Sequence, residues 1–535
     1  MTTQRKRDGS EELARSASLE SYDDSNYTSP DDDESAIHLL QKRSTGTTSS
    51  PAGYITGLAK LASWRRVGNR AVRRARRIRR GQGYASLWLR RFLRVVYGCC
   101  CCLLALTVVV GVFFPSYTRL PPHYAALRDR IRKGQEVGSG NIHKEKIFIA
   151  ASIFDPGAGL ANGDWAKNVL ELVHILGPEN VYLSIYENDS GEDAVEALAK
   201  LQTRVPCNHT LISEAHLRLE TLPHVMLQDG SRRVKRIAYL AEVRNRALRP
   251  LQEATQRFDK LLYLNDVMFD PIEAAQLLFS TNLGADGRTL YRSACAVDFI
   301  NPFKFYDTFA TRDLDGFSVG VPFFPWFSAG GGDHTLDDVL SEADAVRVRS
   351  CWGGMVAFDA KFFQNWSGEA KSLRTAGSES PVNVTAPFKF RAEKDLWWDS
   401  SECCLIQADI QSPDPRTPGI FMNPFIRVAY DSRTLSWLWL TKRFEKLYTP
   451  IHFMADILVS LPDFNPRRHE VPWQTVDEVV WVADGSDTGQ GSWQNVMRTA
   501  KHDGFCGRRK LPVLREPRID GERNWEFIEP PPLID

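Results

Sequence analysis

The stretch Asp259-Lys-Leu-Leu-Tyr-Leu-Asn265-Asp266-Val-Met-Phe-Asp270-Pro271 decides how the rest of the chain is read. Residues 260–264 are short and almost wholly apolar, as in a strand covered on both faces, and such strands belong to parallel sheets. The run ends in an acidic turn, Asn265-Asp266. Open α/β sheets bind ligands outside the carboxyl ends of their strands, so Asp266 stands where a binding carboxylate is useful. The plainer alternative is a turn or cap aspartate, because Asp270-Pro-Ile-Glu273 opens a helix.

Strand and helix signals alternate upstream. Residues 146–153 (KIFIAASI) predict a strand, 164–176 a helix ended by Gly177-Pro178, and 181–186 a second strand. Residues 193–204 predict a helix, 209–212 a short strand, and 237–251 a helix that stops around Pro250. This order predicts an α/β fold, a mainly parallel sheet with helices on both faces. Downstream, 293–299 (SACAVDF) and 355–358 read as further strands, the first ending in Asp298. Trp397-Trp398-Asp399-Ser-Ser-Glu402 reads as a loop entering a helix capped by Ser400 or Asp399. No GxGxxG follows the first strand and there is no Walker motif, which disfavours a dinucleotide-binding enzyme and a P-loop enzyme. Gly330-Gly-Gly332 lacks a strand-to-helix context and reads as a mobile loop. There are no internal repeats.

The chain has 535 residues, enough for more than one domain, and its net charge of +1 hides a strong asymmetry. The first 37 residues are acidic and Ser-rich, whereas 60–94 carry a dense set of arginines from Arg65 to Arg94. Residues 95–114 (VVYGCCCCLLALTVVVGVFF) hold no charge and are long enough to span a bilayer as a helix. The arginines flank the N-terminal side, so the positive-inside rule predicts a cytosolic N-terminus and a luminal bulk. A membrane span explains the basic block better than nucleic-acid binding. The predicted organisation is a disordered tail (1–94), a transmembrane helix (95–114), a stem (115–144), a catalytic-type domain (145–455) and a C-terminal wrap or small subdomain (456–535).

Cys99 to Cys102 lie in the span, where they pack or are acylated; the other six cysteines (207, 295, 351, 403, 404, 506) face an oxidising lumen and allow fifteen pairings. The sequons at Asn188, Asn208, Asn365 and Asn383 agree with a luminal location, although Asn26 also matches within the tail.

Several residues are candidates for chemistry. A diphosphate needs positive charge, from a cation held by a carboxylate or from arginine. Asp266 suits the first role. Arg244 and Asn245, in Glu242-Val-Arg-Asn-Arg246, suit contact with a base or diphosphate, against the alternative of a salt-bridged helix surface. Asp298, Arg312 and Asp313 suit sugar or acceptor binding, as does the turn Trp352-Gly353, for which core packing is an equal reading. Glu402 is a candidate acid or base whose burial would raise its pKa. His452 is a candidate late metal ligand, although a lone histidine is more often structural.

Taken together, LAEVRNRAL (240–248), DKLLYLNDVMFDP (259–271), ACAVDFINPFKFYDTFATRDLDG (294–316), VRSCWGGMVAFDA (348–360), SSECCL (400–405) and NPFIRVAYD (423–431) closely resemble the fungal α-1,3-mannosyltransferase family associated with capsule and cell-wall polysaccharides. The resemblance runs in order over residues 145–455. It implies a type II Golgi membrane protein with a GT-A-like fold, GDP-mannose as donor and a mannose-containing glycan as acceptor, with retention of configuration. By motif position Asp266 takes the acidic metal or diphosphate site, with Asn265 beside it. Arg244 and Asn245 belong to the nucleotide region, Asp298, Arg312 and Asp313 lie near the sugars, and Glu402 lies in a catalytic loop. The wider GT-A pattern is Asp-any-Asp, whereas Asn265-Asp266-Val267 supplies one carboxylate. A Mn2+ or Mg2+ cofactor therefore needs a second ligand from elsewhere. The expected partners are the donor, the glycan, the membrane and a Golgi glycosyltransferase complex, and not nucleic acid. The rival readings are a non-catalytic luminal glycan-binding or scaffold subunit and a transferase for another sugar nucleotide such as UDP-xylose. A third rival makes the basic tail the working part, bound to anionic lipid.

Overall fold

The computed structural model describes residues 68–134, 136–215, 217–328, 334–365, 386–458, 465–485, 489–516 and 524–532. The tail to residue 67, the glycine run 330–332 and the sequon at Asn383 lie outside the described residues.

Helix α1 (Gly68–Phe113) is continuous, and within it Arg90–Phe113 is long and apolar enough to cross a membrane. The remainder, Ser116–Asp535, forms a separate compact unit. Its sheet is built from β1 (Ile147–Ile153), β2 (Val181–Asn188), β3 (Asn208–Glu214), β4 (Lys260–Leu264), β5 (Ser293–Asn301), β6 (Met355–Asp359) and β7 (Ile420–Ala429). Their spatial order is β3-β2-β1-β4-β6-β5-β7, with the short strand Val346–Arg347 beyond β7 and Lys304–Phe305 paired to β5. β3, β2, β1 and β4 run parallel, β6 is antiparallel to both its neighbours, and β7 is parallel to β5.

The chain moves outward from β1 through β2 to β3 and returns on the other side of β1 as β4. The crevice between β1 and β4 is thus the topological switch point, where ligands of such sheets bind. Alternate residues of β1 build the two halves of the core. Phe148 and Ala150 pack with Tyr263 and with Ala247, Leu248 and Leu251 of α5 (Arg236–Glu253). Ile147, Ile149 and Ala151 pack with α3 (Asp164–Leu176) and α6 (Pro271–Ser280) on the other face. The remaining helices near the sheet are α2 (Pro122–Lys133), α4 (Glu192–Gln202) and α7 (Glu402–Ile410).

Three local expectations change. The stem is part of the folded unit: Tyr117 and Tyr124 are fully buried, and Asn423 donates to the Tyr124 hydroxyl at 2.7 Å. Helix α5 continues through Pro250, and its N-cap is Lys235. Ser401 caps α7, its hydroxyl accepting from the Cys403 amide at 3.3 Å, so neither Ser400 nor Asp399 does. Of the fifteen pairings, Cys295–Cys351 and Cys404–Cys506 form. Cys207 and Cys403 remain buried thiols. The second bond ties α7 to the C-terminal region, whose hairpin Leu511–Leu514 with Trp525–Ile528 follows it.

Candidate active site

A cleft opens at the carboxyl ends of β1, β2 and β4, enclosing about 960 Å³ including its mouth. Ser152, Ile153 and Phe154 come from the end of β1, Asn188 and Asp189 from β2, and Asn265 and Asp266 from β4. Arg236, Tyr239, Val243 and Arg244 of α5 form one wall, and Leu514 and Asn524 close it from the C-terminal hairpin. Asp155 donates its amide to the Ser190 hydroxyl at 2.8 Å, which ties the loops after β1 and β2 together.

Arg244 is held on several sides in the cleft. Its Nε donates to Glu402 Oε1 at 2.8 Å and its NH1 to Asn265 Oδ1 at 3.0 Å. The guanidinium lies 4.5 Å from the centre of the Trp352 ring, and Trp352 Nε1 donates to the same Asn265 oxygen at 3.3 Å. Trp165 Nε1 donates to the Asn265 carbonyl at 3.1 Å. Arg244, Asn265, Trp352 and Glu402 are all buried. A planar guanidinium fixed in this way loses little further freedom when it meets an anion.

Asp266 lines the cleft, and the second carboxylate is Asp189. Asp189 sits at φ 67°, a left-handed backbone that aspartate tolerates better than most residues. Arg236 adds a second guanidinium, stacked 4.6 Å from the centre of Trp525. Two arginines and two carboxylates at a switch point match the charge of a phosphate-bearing ligand with a divalent cation. The donor set fits such a cation, which prefers hard carboxylate oxygens alongside substrate phosphates. Asp189, Arg236 and Tyr239 were not predicted from sequence. Asp189 lay inside a sequon, and the two helical residues showed no motif.

Asn188 is corrected as a glycosylation site. It is 5% exposed, and its amide donates to the Tyr239 hydroxyl at 2.5 Å, which leaves no room for a glycan. Asn208 and Asn365 are exposed.

Other predicted residues lie away from the cleft. Asn245 exchanges two hydrogen bonds with the Phe390 backbone, at 2.8 and 2.9 Å. Asp298 is fully buried and accepts from the Asp307 amide at 3.0 Å and from Tyr430 at 3.2 Å. Burial and the facing Asp307 carboxylate push its pKa up. Asp307 in turn accepts the amides of Trp352 and Gly353 at 2.9 and 3.2 Å. Gly353 has φ 58°, and a Cβ there would meet the Ala296 oxygen at 2.0 Å. The Trp352-Gly353 turn is therefore a packed support under Arg244 and does not line the cleft. Arg312 donates to the carbonyls of Phe309, Thr311, Phe505 and Cys506. Asp313 accepts the amides of Asp315 and Phe317, and burial pushes its pKa to about 7.

The structure turns His452 from a metal candidate into a structural residue. Its Nδ1 lies 3.0 Å from the Phe323 oxygen and its Nε2 2.8 Å from Asp456, remote from any third ligand group among the described residues. Among the described residues the group that does bring three ligand side chains together is Asp409, His502 and Asp503. Arg391 already bridges its two carboxylates at 2.8 and 2.6 Å, so this is an ion-pair network.

Residues 146–409 match the family model described as Cryptococcal mannosyltransferase 1. The match covers just under half of the 535-residue chain. The matched segment starts just before β1 and ends in α7, so it carries every cleft residue except Leu514 and Asn524. The protein is thus a glycosyltransferase with a mannosyl-transfer role, on the GT-A-like sheet that the sequence resemblance implied. Similar solved structures include mannosyltransferase PcManGT from Pyrobaculum calidifontis in complex with GDP-Man and Mn2+, at 11% identity and TM-score 0.29, covering 69% of this chain and 78% of that one. Mannosyl-3-phosphoglycerate synthase from Rubrobacter xylanophilus matches at 12% identity and TM-score 0.25, covering 72% and 94%. At these scores neither likeness carries a functional conclusion. No curated protein matches the chain significantly.

Proposed function

We propose that this cryptococcal-type mannosyltransferase binds GDP-mannose in the β1–β4 cleft and transfers mannose to a mannose-containing glycan through an α-1,3 linkage with retention. The observation that carries the donor reading is the pairing of Arg236 and Arg244 with Asp189 and Asp266 around one cleft. Asp189 and Asp266 would hold a divalent cation, Mn2+ or Mg2+, which when bound neutralises diphosphate charge. Arg244, oriented by Glu402, stabilises the negative charge that grows on the departing diphosphate. Among the described residues no carboxylate other than Asp189 and Asp266 lines the cleft, and both are assigned to the cation. Retention is therefore assigned to a same-face displacement, in which the leaving diphosphate assists deprotonation of the acceptor. Linkage, retention and a type II Golgi placement rest on the family resemblance, and the apolar helix α1 supports the membrane anchor.

Competition binding tests the donor. GDP should displace a fluorescent guanine nucleotide from the full-length protein, and UDP should do so far less well. Equal or better displacement by UDP would transfer the site to another sugar nucleotide.

A further inference from the structure

Helix α9 (Thr449–Leu458) is built inside out. Its polar residues His452 and Asp456 face the protein and are buried. Asp456 Oδ1 accepts from the Val321 amide at 2.9 Å, and His452 Nδ1 lies 3.0 Å from the Phe323 oxygen. Its apolar residues face outward: Ile451, Met454, Ile457 and Leu458 are 52, 59, 79 and 82% exposed. On the preceding helix α8 (Ser432–Thr441), Trp437 and Trp439 are 48 and 64% exposed. A helix on a water-facing surface buries its apolar stripe. A cluster of large exposed apolar side chains marks an interaction surface.

Chain connectivity indicates what covers it. Phe114, Pro115 and Ser116 alone separate the end of the apolar span at Phe113 from Tyr117, which is fully buried in the folded unit. Four chain steps reach at most about 14 Å, and the headgroup layer beyond the hydrocarbon is itself about 5–8 Å deep. The tether therefore holds the surroundings of Tyr117 at the bilayer surface. Tyr117 stacks with Trp326 at 6.4 Å, and the Trp326 amide donates to the Phe323 carbonyl at 2.7 Å. The same 321–323 segment is gripped by His452 and Asp456. The inverted helix is thus packed on the part of the domain that the tether keeps near the membrane. Tryptophans flanking an apolar face suit the headgroup boundary.

We propose that α8 and α9 form a monotopic contact with the same bilayer that α1 crosses, seating their apolar side chains at the headgroup–acyl boundary. This rests on Arg90–Phe113 being a membrane span and is independent of the donor assignment. The test reconstitutes the full chain in phosphatidylcholine nanodiscs that contain a phosphatidylcholine with an acyl-chain diazirine. Photolysis followed by peptide mass spectrometry should find lipid adducts on residues 437–458 as well as on α1. The double variant Ile457→Glu, Leu458→Glu should lose the first set and keep the second, with transfer to a soluble acceptor unchanged. Adducts confined to α1 in the wild-type protein would overturn the proposal. So would crosslinks between two copies through residues 451–458 in place of lipid adducts.

Discussion

Arg244 Nε donates to Glu402 Oε1 at 2.8 Å, which joins the middle of α5 to the first residue of α7 beneath the cleft. Both side chains are buried. Removing one partner of such a pair strands a charge and costs about 3–5 kcal/mol. Glu402→Ala should therefore lower the urea midpoint strongly. Glu402→Gln keeps an acceptor for Arg244 and should fold. Because Arg244 acts on charge that develops in the transition state, this variant should lose kcat, by about 10²-fold, more than it raises the donor KM. Its pH–rate profile should keep both limbs. Disappearance of one limb would make Glu402 a proton-transfer group.

Asp189 and Asp266 reach the cleft from the ends of β2 and β4, the parallel strands on either side of β1, and should act together. Asp266→Ala should abolish transfer and leave the melting temperature within a degree or so of wild type. Asp189→Asn should raise the Mn2+ or Mg2+ concentration needed for half-maximal rate, with activity restored at saturating cation. Full activity in the Asp266 variant would remove this residue from the site.

Asp399 is buried, and neither of its carboxylate oxygens has a hydrogen-bond partner among the described residues. Burial raises its pKa to about 7, with Lys235 and Arg508 pulling the other way. A carboxyl raised in the folded state binds more protons there than in the unfolded chain, so its contribution to stability is full below about pH 4. That contribution is lost as pH climbs toward 7. Asp399→Asn should flatten the fall in urea midpoint between pH 4 and 7, and an unchanged slope would exclude Asp399 as its source. Asp409 runs the other way. Burial disfavours its charge, but Arg391 overrides this and holds the pKa at about 2, so its contribution is lost only as pH falls from about 4 toward 2.

The Cys404–Cys506 bond closes a 102-residue separation and precedes the hairpin that supplies Leu514 and Asn524 to the cleft. Replacing both cysteines with serine should cost about 2–5 kcal/mol. It should also raise the donor KM, because the hairpin that completes the cleft is no longer tethered to α7. Neither Cys295 nor Cys351 lines the cleft, so removal of their bond should lower stability without a selective effect on KM.

The parallel half of the sheet was legible because burial on both faces forces apolar runs such as 147–153 and 260–264, and Asp266 was legible because strand ends in such sheets bind ligands. Asp189 was not. It follows a strand whose last residue, Asn188, looked like a glycan acceptor, and only the three-dimensional return of β4 beside β1 reveals the pair. Trp352, Gly353 and Asp298 were visible as unusual residues. Their supporting role depends on contacts across 9, 45 and 87 positions, through Asp307 and Asn265, which linear spacing does not encode. His452 misled because a buried polar residue on an apolar helix looks like a ligand when the inversion of that helix is unseen.

The most direct test incubates the full-length protein with GDP-mannose and a short α-mannoside, with and without EDTA, and reads the product linkage by NMR. The account predicts an α-1,3-linked mannoside that forms in the presence of Mn2+ or Mg2+ and is lost in EDTA, with no turnover by the Asp266→Ala variant. Absence of product from GDP-mannose across several mannoside acceptors, with turnover of another sugar nucleotide, would contradict it.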